Sequence, residues 1–283
     1  MTGTGRLVDL HTHSRHSDGT LTPEELVSLA ASRKLEVLAL TDHDTVIGCA
    51  AAARACATAG IDFVPGVELS CGWLEREIHV VGLDIDTANP GLAAHLARVL
   101  ELRRERIRAI ADKLRAAGVA ADHDLAAEVF AVTDVPTRTH IARRLLELGA
   151  ARTLQDAFDK HLARGRSGHV RAAWPTLQEA VDVIRGAGGI AVLAHAHRYR
   201  LSNGQTDALC AAFRAAGGEG LEVGLAGLSP NDYDRLARLA RRHELAGSVA
   251  SDFHEPGLPW RPLGRFDKLP DQVAPLLARL RPI

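Results

Sequence analysis

Three short clusters carry imidazoles, two of them with carboxylates, at spacings that suit metal binding. His11 and His13 stand two apart in His11-Thr12-His13. On a strand such residues share a face, so both rings can hold one ion. Ser251-Asp252-Phe253-His254 repeats that geometry with one carboxylate and one imidazole. Thr41-Asp42-His43-Asp44 sets a histidine between two acids, offering a ligand and a carboxylate to orient its ring. Asp42 or Asp44 could equally cap the helix that follows.

Four further residues join them. Asp18 places a carboxylate in the loop after His13, where Asp18-Gly19 also reads as a turn. Glu68 ends the apolar run Phe63–Val67; an ionised carboxylate in an apolar interior is costly alone, and a metal ion is an economical partner. His79 lies inside the run Ile78–Leu83, where a hydrogen-bonded core histidine is the competing reading, and His195 directly follows Ile190–Ala194. This set has no cysteine and mixes imidazole with carboxylate, which suits Mn2+, Zn2+ or Fe2+ better than Mg2+ or Ca2+. Nine ligands exceed the needs of one divalent ion, so two or three ions are expected, with Glu68 as the bridge.

Seven short apolar runs position these residues: Leu7–Leu10, Val37–Leu40, Phe63–Val67, Ile78–Leu83, Ile190–Ala194, Leu221–Val223 and Ala246–Ala250. Several end in a polar cluster and lead into a helical pattern, the rhythm of parallel strands with crossover helices. The candidate ligands fall near the same strand ends, where the sites of parallel barrels are assembled. Thr22, Pro23 and Glu25 form a helix start with a capping box. Apolar positions from Leu92 to Leu114 recur at helical spacing and Gly118 offers a stop. That predicts a helix over Leu92–Ala117 of roughly 40 Å, long for a barrel crossover. A helical insertion over about 98–165, packed at the mouth of a barrel-like domain, is therefore expected. Arg103, Arg104, Arg106 and Arg108 read as a solvated stripe on it.

The composition narrows the partners. With 283 residues, 46% hydrophobic and 24% charged, the chain can bury a sizeable core. A net charge of -1 argues against a general electrostatic hold on nucleic acid or an anionic membrane. Aromatics at 4% disfavour an extended base-stacking platform, so small nucleotides or short RNA fit better than long polymers. No uncharged apolar run approaches the ~18 residues of a spanning helix, and Met1–Leu10 lacks an apolar leader core. Cys49, Cys56, Cys71 and Cys210 form no CxxC pair and read as reduced thiols. A cytoplasmic protein with no membrane association and no obligate protein partner is expected.

In type and order these motifs resemble the PHP (polymerase and histidinol phosphatase) family of metal-dependent phosphoesterases: His11 and His13, the TDHD at Thr41 to Asp44, Glu68 after Pro65-Gly66-Val67, His79, His195, and the DxH at Asp252 and His254. The resemblance covers nearly the whole chain. It implies an α/β fold, a distorted (β/α)7 barrel over 6–97 and 166–283 with a small helical insertion domain over 98–165, and a trinuclear site. On that resemblance His11, His13, Glu68 and Asp252 would bind the first ion, Glu68, His79 and His195 the second, and Asp18, His43 and His254 the third. Asp252, Glu68 and His254 would be the catalytic residues. Within the family the chain is most similar to bacterial 3',5'-nucleoside bisphosphate phosphatases, also described as 5'-to-3' exoribonucleases, whose pattern includes a helical insertion and a Phe-Asp-Lys segment, here Phe158-Asp159-Lys160.

Two departures stand out. Where the family often reads AHPxRY, this chain has Ala194-His195-Ala196-His197-Arg198-Tyr199, so His197 competes with His195 as a ligand; His195 is preferred because it follows the apolar run. After Glu222 comes Val223-Gly224-Leu225 in place of an aromatic and His-rich stretch, which leaves fine substrate preference open. The expected reaction is in-line attack on phosphorus by a hydroxide bridging two ions ~3.5 to 4 Å apart, with a third ion offsetting charge. Arg138, Lys160 and Arg198 are the candidates for phosphate binding, against a reading as solvated helix faces. The leaving-group acid stays open among metal-held water, His197 and His243. Removal of the 3'-phosphate from pAp-like bisphosphonucleotides leads, 5'-to-3' exonuclease action on short 5'-phosphorylated RNA is the alternative, and histidinol phosphate is a weaker candidate substrate. A non-catalytic metal-binding regulatory module is the reading from another class, although its ligand set would be oversupplied and open.

Overall fold

The computed structural model describes residues 6–257 and 261–281. The first five residues of the Met1–Leu10 stretch, and residues 258–260 and 282–283 of the expected second barrel segment, lie outside those ranges. Two compact units divide the chain, one within Met1–Leu96 and Trp174–Ile283, the other Ala97–Ala173.

Seven strands form one sheet in chain order, β1 Val8–Asp9, β2 Val37–Leu40, β3 Asp62–Trp73, β4 Arg76–Leu83, β5 Ile190–Leu193, β6 Gly220–Leu225 and β7 Ala246–Ala250. β1 is short, but the chain after it stays tied to both neighbours. The Leu10 amide donates to Val249 O, the His13 amide to Phe253 O and the Thr41 amide to Thr12 O. These bonds bring the first strand beside the last and nearly close a distorted barrel. They also hold His11 and His13 in extended chain just past β1.

The barrel is not wholly parallel, contrary to the strand rhythm of the sequence. β4 runs antiparallel to both β3 and β5. Trp73 pairs with Arg76, leaving only Leu74 and Glu75 to turn the chain, with Leu74 at φ 52; a parallel return needs a crossover of a dozen residues or more. The hairpin lengthens β3 beyond the expected Phe63–Val67, so Glu68 lies mid-strand instead of at its end.

Helices α1 Pro23–Ser32 and α2 Cys49–Ala59 follow β1 and β2. α1 starts as read: the Thr22 hydroxyl accepts from the Glu25 amide at 3.1 Å and the Glu25 carboxylate accepts from the Thr22 amide at 2.8 Å. α2 has Gly48 at its N-cap and no side-chain cap, so neither Asp42 nor Asp44 serves there. Strand alternation divides the core. Val81, Leu83, Val192 and Ala194 pack with Val8, Val37 and Ala246, while Leu69, Val80, Ala191 and Leu193 pack with Val181 and Ile184 of a later helix, Leu177–Gly186.

A long helix, α3 Pro90–Ala116, runs from the first unit into the second and stops before Gly118, at φ 72. In the second unit, α4 Leu125–Phe130, α5 Arg138–Glu147, α6 Leu154–Ala157 and a π turn over Phe158–Leu162 enclose a core of Ile107, Ile110, Leu114, Val129, Ile141 and Leu145. The unit extends past residue 165 because the Arg106 side chain donates to Val170 O and Lys113 to His169 O. Arg103 and Arg106 are buried, contrary to the expected solvated stripe: Arg103 donates to Pro136 O and Arg106 to Val170 O, where they satisfy loop carbonyls. Back in the first unit, α7 Leu177–Gly186, α8 Asn203–Ala215 and α9 Pro230–Arg242 alternate with β5, β6 and β7.

All four cysteines are free and buried. Burial pushes the Cys49 and Cys210 thiols up to about 12 and Cys56 to about 11. Because the thiolate is the reactive form, native protein at pH 8 should resist a thiol-exchange reagent, and all four thiols should react after unfolding in guanidinium. Fast labelling of any of them in the native state would contradict this packing.

Candidate metal centre

The Glu68 carboxylate lies at the middle of a ring of imidazoles. Its Oε1 is 2.8 Å from His79 Nδ1 and 2.9 Å from His195 Nε2. Its Oε2 is 2.9 Å from His43 Nδ1, 3.2 Å from His11 Nε2 and 3.3 Å from His13 Nε2. Asp252 Oδ1 approaches His13 Nε2 at 3.3 Å and His11 Nε2 at 3.5 Å. Asp18 Oδ1 faces His254 Nε2 at 3.3 Å and His43 Nε2 at 3.7 Å. Potential ligand atoms therefore gather in three overlapping groups: His11, His13 and Asp252; His43, Glu68 and His79; and His13, Asp18, His43 and His254.

The surrounding chain holds these side chains in place. Glu222 Oε1 accepts from His11 Nδ1 at 2.6 Å, which leaves His11 Nε2 as the ring nitrogen that faces the site. His13 Nδ1 is 3.4 Å from Ser17 Oγ, and that hydroxyl donates to Asp42 Oδ1 at 2.6 Å. Gly19 lets the Asp18 turn fold back, since a Cβ there would meet His13 O at 2.5 Å. Tyr199 Oη accepts from the His79 amide at 2.9 Å and donates to Ala194 O at 2.8 Å, pinning β4 to the residue before His195. Asp44, His195 and Asp252 all sit at positive φ, costing on the order of 1–3 kcal/mol each, a strain concentrated at functional sites.

The electrostatics follow from this crowding. Burial works against the charged form of Glu68, but the His43, His11 and His79 rings hold it well below the usual carboxylate range. Asp252 is likewise held down, against its burial, by Arg261, Arg198 and His254. Burial opposes charge on His79 and His13 too, yet Glu68 lifts His79 to about 10, and Asp252 with Glu68 lifts His13 to about 9. At His195 burial wins and brings it down to about 4. The carboxylates are thus ionised and the site demands positive charge.

All nine expected ligand residues come together here, and so does Arg198, whose guanidinium pairs with Asp252 Oδ2. Arg138 and Lys160 lie in the other unit: Arg138 opens α5 with its guanidinium over the Phe158 ring, and Lys160 pairs with Asp156 at 2.8 Å. Neither acid beside His43 orients its ring, contrary to expectation. Asp42 accepts from Ser14 and Ser17, and Asp44 from the Ser70 amide. Two contributors were not expected. Arg261 reaches Asp252 Oδ2 at 3.0 Å, with no motif to mark it. Glu222 is an acid inside an apolar strand, the same signal that marked Glu68.

Residues 9–89 match the PHP domain. The chain is 44% identical to a 3',5'-nucleoside bisphosphate phosphatase of Chromobacterium violaceum over 96% of each chain. The 5'-3' exoribonuclease of Salmonella typhimurium is also 44% identical, covering 94% of this chain and 91% of that one. A solved amidohydrolase structure from Chromobacterium violaceum superposes with a TM-score of 0.90 at 42% identity, covering 96% of this chain and 95% of that one. The chain belongs to the PHP domain family. As a PHP protein it is a hydrolase of phosphoric ester bonds and metal-dependent, and among its described residues no helix is long and apolar enough to cross a membrane.

The Tyr199 bridge in this PHP barrel can be tested directly. Tyr199→Phe would strand the buried His79 amide and Ala194 carbonyl, a loss of about 1–3 kcal/mol. Urea unfolding of the metal-free protein should register that drop, and an unchanged midpoint would mean that the hydroxyl holds nothing.

Proposed function

We propose that this protein removes the 3'-phosphate of 3',5'-bisphosphonucleotides of the pAp type, using divalent ions held around Glu68. The observation that carries the metal reading is the convergence of ligand-type nitrogen and oxygen atoms in one buried cluster. His11 Nε2 and His13 Nε2 stand 3.0 Å apart. Each ring's other nitrogen already has an acceptor, in Glu222 and Ser17 respectively. The His43 Nδ1 and Glu68 Oε2 atoms, 2.9 Å apart, are not aligned as a hydrogen bond. Imidazole nitrogens and carboxylate oxygens converging in a buried site suit a cation.

His11, His13, Glu68 and Asp252 would hold one ion, Glu68, His79 and His195 a second, and Asp18, His43 and His254 a third. The two Glu68 oxygens face different histidines, which supports its role as the bridge. The donor set favours Mn2+, with Zn2+ and Fe2+ as alternatives. When bound, such ions acidify a water for attack on phosphorus and offset charge on the phosphate oxygens. Glu68, Asp252 and His254 would act as the catalytic residues through the ions they hold. Arg198, which pairs with Asp252, is proposed to take a phosphate oxygen. Arg138 and Lys160 are proposed for the second phosphate on their sequence pattern.

The substrate reading draws its support from the bisphosphate phosphatase relative, which aligns over 96% of each chain. The exoribonuclease relative supports a second reaction, release of nucleotides from short 5'-phosphorylated RNA by the same chemistry. Four reduced thiols support a cytoplasmic location.

Phosphate release from pAp, 3'-AMP, 5'-AMP and histidinol phosphate, beside nucleotide release from a short 5'-phosphorylated RNA, tests the substrate in Mn2+. Selective turnover of pAp or the RNA is expected, and turnover of histidinol phosphate alone would overturn the reading. Chelation should abolish turnover and leave the circular dichroism intact; loss of the fold would instead favour a structural role for the metal. Asp252→Asn should lower kcat at least 100-fold with the fold retained, a loss of ~3 kcal/mol of transition-state stabilisation. Arg138→Ala should weaken substrates that carry a 5'-phosphate more than those that lack it, and equal losses would remove Arg138 from that role.

A further inference from the structure

Glu222 lies on β6 with 1% exposure, and the reaction proposed above gives it no part. Both of its oxygens are engaged. Oε1 accepts from His11 Nδ1 at 2.6 Å, and Oε2 accepts from the backbone N–H of His195, also at 2.6 Å. The two histidines it touches belong to distant stretches of chain and face opposite oxygens of Glu68, His11 Nε2 at 3.2 Å from Oε2 and His195 Nε2 at 2.9 Å from Oε1.

Each contact has a separate physical consequence. An ionised carboxylate can only accept, so the proton of the first bond must lie on His11 Nδ1, and Nε2 is the nitrogen that would offer its lone pair to a cation on the Glu68 side. The second bond secures the backbone of a residue held at φ 28 and ψ 49, a conformation that an L residue keeps only where its surroundings enforce it. The register of β6 against β7 shifts between Glu222 and Gly224, and such bulges re-aim side chains next to functional sites.

We propose that Glu222 is a positioning residue that sets two metal ligands at once, the tautomer of His11 and the backbone of His195, so that both oxygens of Glu68 receive correctly aimed imidazoles. This rests on the metal reading. Its consequence is that one carboxylate outside the ligand set governs affinity on both sides of the Glu68 bridge.

Glu222→Gln is the informative substitution because it keeps the shape. The amide oxygen can still accept from the His195 N–H, but the amide nitrogen then donates toward His11 Nδ1 and turns the ring's lone pair away from the site. Mn2+ titration of wild type and Glu222→Gln, followed by the magnetic resonance signal of the free ion, should give 10–100-fold weaker binding in the variant, as expected on losing a group that orients a ligand. Thermal unfolding of the metal-free forms should stay close to wild type. A variant that binds Mn2+ as tightly as wild type overturns the inference while leaving the metal reading intact. A wild-type chain that binds no Mn2+ rejects the metal reading and this inference with it. If Glu222→Gln does not fold, nitrogen-15 histidine spectra of the Zn2+-loaded wild type decide instead: a proton on His11 Nδ1 supports the assignment, and metal on Nδ1 overturns it.

Discussion

The burial of the Glu68 carboxylate is the constraint around which the first unit is organised. Taking an ion of that size out of water costs several kcal/mol even in a relaxed protein interior, and Glu68 is fully buried in the longest strand of the sheet. That cost is offset only if positive charge or donors surround both oxygens. The barrel provides them from the ends of separate elements: His11 and His13 past β1, His43 past β2, His79 on β4 and His195 past β5. Near-closure matters because an open sheet would not bring Asp252, after β7, beside His11.

The antiparallel β4 serves the same purpose. A hairpin with two turn residues pairs Ser70 with His79 and places that ring against Glu68 Oε1, where a crossover helix would have displaced it. Strain at Asp44, His195 and Asp252 is retained because each residue is tied on more than one side. Asp44 accepts from Ser70 and donates its amide to Glu68 O, and the Asp252 amide donates to His11 O. Hydrogen bonds between neighbouring strand ends thus convert backbone geometry into side-chain aim.

Much of this is legible in the sequence, for physical reasons that differ by residue. HxH and DxH declare themselves because a period of two is a strand property, and an acid after an apolar run declares itself through the cost of burying it. The capping box at Thr22 and Glu25 is local, so its pattern suffices to predict it. What escaped depends on distant chain. Asp42 looks like a partner for His43 by adjacency, yet it serves Ser14 and Ser17, which only the fold brings near. Arg261 meets Asp252 with no motif around it to announce the contact. Arg103 and Arg106 look like a solvated stripe because four arginines stand within six residues, but their long side chains reach carbonyls of the same unit. Glu222, like Glu68, is an acid within an apolar strand, and its burial demands partners in the same way.

The central claim is that the Glu68 carboxylate joins more than one metal ion. Anomalous diffraction from Mn2+-soaked crystals measures this directly. The account predicts at least two anomalous peaks within ligand distance of Glu68, one on each carboxylate oxygen. A single peak that leaves either oxygen free, or no peak within the nine-residue cluster, would contradict it.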